Sequence, residues 1–138
     1  MKNIRKLFLV LVSCMSLAQA NDQQSAFFDA VRAGDVAQVQ VLIEDGADIN
    51  DQSKSEYGFT PLIVAVMLKN ITMVQLLLEN GADVNLQDIA GAKALHIVQS
   101  ALQWYPNVNC ESVAVETELF NIIKRCNDII ALLKAYGA

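Results

Sequence analysis

The residues of this chain that could do chemistry are few. There is one histidine, His96, and there are three cysteines, Cys14, Cys110 and Cys126; Glu111, Glu116 and Glu118 form a small acidic group. A histidine acting as general base needs a nucleophile and an orienting acid beside it. The stretch from Ala92 to Val98 around His96 offers neither. Metal binding fails on spacing, because His96, Cys110 and Cys126 are far apart and form no paired-ligand motif. Asp45 to Asn50 is dense in Asp and Asn but lacks the spacing of a calcium loop. The three glutamates read as a solvated helix face rather than an acid–base pair, and no Gly-rich phosphate loop is present. The residues therefore predict no catalytic group, no metal and no cofactor.

The elements that carry these residues belong to a chain of 138 residues, enough for one domain. Apolar residues make up 54% of it, with two prolines and six glycines, which excludes disordered and collagen-like classes. The net charge is −5 and no basic block exists, so nucleic acid is not an expected partner. Residues 1–20 have the form of a secretory signal peptide. Lys2, Arg5 and Lys6 precede an apolar run from Leu7 to Leu17, and Ala18-Gln19-Ala20 is an A-x-A cleavage site. A run of about eleven is too short to span a bilayer. A buried first helix is the alternative. A lipobox reading of Leu11-Val12-Ser13-Cys14, with the lipid on Cys14, is another. Cleavage after Ala20 removes three basic residues and no acidic ones, so the net charge moves from −5 to −8. Such a chain should stay soluble in the periplasm or outside the cell, with no transmembrane segment.

Self-comparison shows a repeat. Asp45-Gly46-Ala47-Asp48-Ile49-Asn50 recurs as Asn80-Gly81-Ala82-Asp83-Val84-Asn85, and Tyr136-Gly137-Ala138 is a truncated third copy. Gly58-Phe59-Thr60-Pro61-Leu62 recurs as Gly91-Ala92-Lys93-Ala94-Leu95. An amphipathic stretch precedes each Gly-Ala. Thr60 can cap a helix whose first position is Pro61, where a missing N–H costs nothing. Gly46, Gly81 and Gly137 suit left-handed helix C-caps. Each unit thus reads as turn, helix, turn, helix, and none can bury its apolar face without a neighbour.

These strings resemble the ankyrin repeat, over nearly all of Ser25 to Ala138. The resemblance implies an all-α solenoid of about 2.5–3 helix-turn-helix repeats with hairpin-like turns, occupying residues 21–138. Repeat one covers about 25–50, repeat two about 51–85, and repeat three about 86–138. The polar residues Asp51 to Glu56 lengthen the turn of repeat two as an exposed loop. Repeat three departs from the pattern through an insertion at about 103–124. From Ser112 onward its apolar residues recur every three or four positions, as one long helix or as two with a break near Lys124-Arg125-Cys126-Asn127. Lys93 and Ala94 replace the expected Thr and Pro, so that helix start is less well capped. The insertion, with Trp104, Tyr105, Leu119, Phe120 and Ile123, is expected to cover the end of the solenoid.

The resemblance makes His96 a residue that hydrogen-bonds turn backbone. It implies protein–protein interaction through hairpin tips and the first-helix face, with an unidentified protein as partner and no small-molecule substrate. The variable binding positions fall on Glu56, Tyr57, Phe59, Met67 and Leu68, and on Ile89, Ala90 and Ala92. Tyr57, Phe59 and Ile89 form the expected hairpin-side anchor, rimmed by Glu56 and Asp88. Truncating Phe59 should weaken binding and leave the melting curve nearly unchanged. Cover of Met67 and Leu68 by the insertion is the alternative to an open patch. A periplasmic immunity or inhibitor protein, a secreted effector that binds a host protein, and an enzyme with its residues in the insertion are rival functions. Cys110 and Cys126 are the candidate disulfide, which an oxidising compartment favours. One unbroken helix from Ser112 to Cys126 would separate its ends by roughly 21 Å, whereas a disulfide needs Cα atoms within about 7 Å.

Overall fold

The computed structural model describes residues 22–103 and 113–138, with the side chains of 113–120 left out. The leader, Cys14, Trp104, Tyr105 and Cys110 lie outside the described residues, as do the side chains of Glu116, Glu118, Leu119 and Phe120. Among the described residues six helices follow in order: α1 over 22–33, α2 Val36–Glu44, α3 Pro61–Met67, α4 Ile71–Glu79, α5 Ala94–Gln103 and α6 Val113–Ala135. α3 pairs with α4, and α5 with α6. First helices stack on first helices, as α3 on α5, and second on second, as α2 on α4 and α4 on α6. The β pairing among the described residues is a single antiparallel bridge between Gln87 and Lys93.

The helix boundaries follow from local chemistry. Asp35, Thr60 and Asn70 accept from the backbone N–H groups of Gln38, Ile63 and Met73, at 3.0–3.1 Å, and so start α2, α3 and α4. Gly46, Gly81 and Gly137 all have φ near +90°. Each donates its N–H three residues back, and the following alanine donates five residues back, at 2.9–3.2 Å. That is the Schellman closure, and only a left-handed residue between the two bonds permits it. Lys69 makes the same closure at φ +54° without being glycine.

Thr60 is the buried cap, with 1% of its surface exposed. Thr60→Ala is expected to cost about 1–2 kcal/mol, and Asp35→Ala less, because water reaches the exposed cap and not the buried one. Urea unfolding of the two variants side by side checks this, and equal losses would show that burial adds nothing.

The core repeats in register. Leu42 of α2, Leu77 of α4 and Leu133 of α6 hold one position, Val39 and Val74 a second, and Met73 and Ile129 a third, all buried in one continuous cluster with Phe27, Leu62 and Val98. α6 settles the question of the break: it runs unbroken through Lys124, Arg125, Cys126 and Asn127. Counting back from Gly137 as from Gly81 puts Cys126 where Asn70 caps α4. Cysteine is a poor capping acceptor, and here the position is helical interior and fully buried. Residues 113–124 of the insertion are thus the first half of α6, and Ile122 packs on the core.

Candidate functional site

The loop between Asn50 and Thr60 sets the site. Two successive turns shape it, with the Ser55 N–H donating to Gln52 O and the Gly58 N–H to Ser55 O. The Gln52 amide then ties the loop to the next hairpin, donating to Gly58 O and to Gln87 O, both at 2.6 Å. The hairpins also join through the Ile89 N–H, which donates to Tyr57 O at 3.1 Å. The expectation of an exposed loop is only partly met. Ser53 and Glu56 are exposed, while Asp51, Gln52, Lys54 and Ser55 are half-buried. The side-chain bonds of Gln52 hold the loop down on the repeat stack.

Held there, the loop faces the end of α3 across a groove of about 520 Å³. Glu56, Tyr57, Phe59, Met67 and Leu68 all line it. Tyr57 is 58% exposed, Met67 48% and Leu68 50%. The Tyr57 and Phe59 rings stack with centroids 5.5 Å apart. Phe59 is half-buried and packs on the hydrophobic core, so it anchors the aromatic wall from below. A ring in that position contributes to stability as well as to the groove, and its truncation should lower both.

Two candidate residues stand apart from the groove lining. Ile89 is 74% exposed on the neighbouring hairpin. Asp88 accepts the N–H groups of Ala90 and Ala92 through the same carboxylate oxygen, both at 2.8 Å. Its carboxylate shapes its own hairpin.

Arg32 and Lys54 also line the groove, and the sequence reading did not single them out. The signal for Arg32 was the repeat register, since Arg32 stands 35 residues before Met67, as Asp48 stands before Asp83. Its guanidinium lies 5.8 Å from the centroid of the Phe28 ring.

The remaining chemistry-bearing groups take structural positions. Lys93, preceding α5, has no acceptor and cannot cap it. Its backbone N–H donates instead to His96 Nδ1 across a long 3.4 Å, and its Nζ donates to Asn85 Oδ1 at 2.9 Å. Cys126 is a buried thiol. Desolvation pushes it above the usual thiol range and the charge of Lys69 partly offsets this, so it is protonated at neutral pH. The Cys110 end of the candidate disulfide lies outside the described residues. Among the described residues no three His, Cys, Asp or Glu side chains gather as a metal site, and no helix is long and apolar enough to cross a membrane.

A family model of ankyrin repeats in three copies matches residues 2–88. Among solved structures, the ankyrin repeat domain of Bcl-3, described as a unique member of the IkappaB protein family, is similar with a TM-score of 0.62 and 30% identity. The likeness covers 81% of this chain and 39% of that one, so this chain spans well under half the length of the structure it matches. No curated protein matches the chain.

Proposed function

We propose, since the chain belongs to the ankyrin-repeat family, that it is an exported protein-binding module whose partner docks in the groove between the repeat-two loop and the end of α3. Ankyrin repeats generally mediate protein–protein interaction. One observation carries the choice of surface: five residues selected from sequence as binding positions line a single groove, and three of them are large, apolar or aromatic, and open to solvent. Exposed apolar residues scattered singly are ordinary, but grouped around a concavity they mark an interaction site. Tyr and Met are also favoured in interface cores. Ile89 extends the apolar surface onto the next hairpin tip.

Tyr57→Ala is expected to weaken partner binding by about 1–3 kcal/mol and to leave the melting curve nearly unchanged, because the ring is exposed. Phe59→Ala should weaken binding and lower stability together. Affinity capture with the purified chain tests the surface. The complex should be lost with Met67→Asp and kept with Val41→Asp, which alters an exposed apolar residue on α2. A partner lost equally with both variants, or with neither, overturns this choice of groove.

Export rests on Lys2, Arg5, Lys6, the apolar run and the A-x-A site. The family match begins at residue 2, inside that segment, so export needs its own measurement. Cell fractionation with N-terminal sequencing should find the chain outside the cytoplasm beginning at Asn21. A cytoplasmic chain that keeps Met1 removes export and leaves the binding groove in place. An immunity-type role would appear as a one-to-one complex with a single exported toxic enzyme whose activity the chain suppresses.

A further inference from the structure

The charges of this acidic chain are unevenly placed. Three further clefts adjoin the groove, two sharing lining residues with it and the third sharing one with its neighbour. Arg32 and Lys54 belong both to the groove and to a cleft beside α1. Met67 joins the groove to a cleft over α5, and Lys69 joins that cleft to one at the start of α4, where Arg125 of α6 also stands. This tract of adjoining clefts, linked by shared lining residues, holds four of the seven cationic side chains described, Arg32, Lys54, Lys69 and Arg125. It holds two of the twelve described carboxylates, Asp29 and Glu56. The other described side chains comprise three cations and ten carboxylates. Cations thus outnumber carboxylates along the clefts, and carboxylates outnumber cations over the other described residues.

From this segregation we propose that the groove takes an acidic segment of a partner protein. A bulky apolar side chain of the segment enters between Tyr57, Phe59, Met67 and Leu68. Carboxylates to either side of it meet Arg32 at one end of the tract and Lys69 with Arg125 at the other. The inference rests on the reading of this groove as the docking surface and adds the chemistry of what docks. Complementary potential speeds encounter and rejects partners of the wrong sign. An acidic protein cannot attract an acidic partner by its net charge, so a local cationic tract is the means by which one can be steered in. The apolar wall and the Glu56 carboxylate at the rim favour a protein segment over a phosphate backbone.

The test is to pan a random dodecapeptide display library on the full chain and to measure recovered, labelled peptides by fluorescence anisotropy. Asp and Glu should be enriched on both sides of an aromatic residue or leucine. Arg32→Glu and Lys69→Glu should each weaken binding by about tenfold, and Lys134→Glu at the end of α6 should not, with each variant shown by its melting curve to be folded at the assay temperature. Binding should also weaken as NaCl rises from about 0.05 to about 0.5 M, because exposed charges are screened over that range. Peptides that lose binding with Met67→Asp but carry no acidic enrichment, and ignore Arg32→Glu, overturn the acidic partner and leave the groove standing. Peptides indifferent to Met67→Asp overturn the groove itself. Displacement by inorganic polyphosphate as effective as by unlabelled peptide would replace the acidic protein segment with a simple polyanion.

Discussion

Leu77→Ala is expected to cost about 2–5 kcal/mol of folding stability, the largest effect of any single change considered for this chain. Leu77 is fully buried in α4, the second helix of the central repeat. α4 contacts α2 on one side and α6 on the other as well as its own partner α3. In a solenoid, stability is nearly a sum of repeat terms and nearest-neighbour interfaces. A cavity in the central repeat therefore weakens two interfaces, whereas Leu42→Ala in repeat one weakens one. Leu42 holds the corresponding position in α2 and is also buried, so the pair forms a controlled comparison. Urea unfolding of both variants should place Leu77→Ala well below Leu42→Ala in midpoint. Equal midpoints would show that the repeats unfold with no central advantage.

Gly81→Val should lower stability by about 1–3 kcal/mol, and for a different reason. A Cβ built at Gly81 meets no other atom within 4 Å, so the space is open. The cost lies in the backbone, because φ is +91° and a β-branched residue is an outlier there. Two bonds depend on that conformation: the Gly81 N–H to Leu78 O at 3.1 Å and the Ala82 N–H to Leu77 O at 2.9 Å. Gly81→Asn should cost less, since Asn visits the left-handed region more readily. An unchanged urea midpoint for Gly81→Val would show that the closure of α4 is not held by this residue. Lys69 shows that such a cost can be borne, since it holds φ +54° at the end of α3 in a closure of the same kind.

Much of the fold was legible in the chain because its signals are local. The Gly-Ala strings require left-handed closures, Thr60-Pro61 requires a helix start, and the periodic apolar residues require a partner surface. Each of these acts within a few residues, and the threefold recurrence of the Gly-Ala string identified the stack. The groove-lining positions were legible for the same reason, since the repeat register carries a position from one unit to the next. Arg32 was within reach of that register argument through Met67.

What the sequence by itself determined was the helix-turn-helix unit, its repetition, its caps and the poverty of chemistry-bearing groups. Tertiary structure decided the rest. It kept α6 unbroken at Cys126, because a buried thiol in the stack leaves no polar cap to end a helix there. It turned the polar loop from Asp51 to Glu56 into a groove wall, through Gln52 bonds to Gly58 and to Gln87, 35 residues away. It committed the Asp88 carboxylate to its own hairpin, half-buried Phe59, and drew Arg32, Lys54, Lys69 and Arg125 onto one tract. Those outcomes depend on distances between segments far apart in the chain, and periodicity within a segment carries no information about such distances.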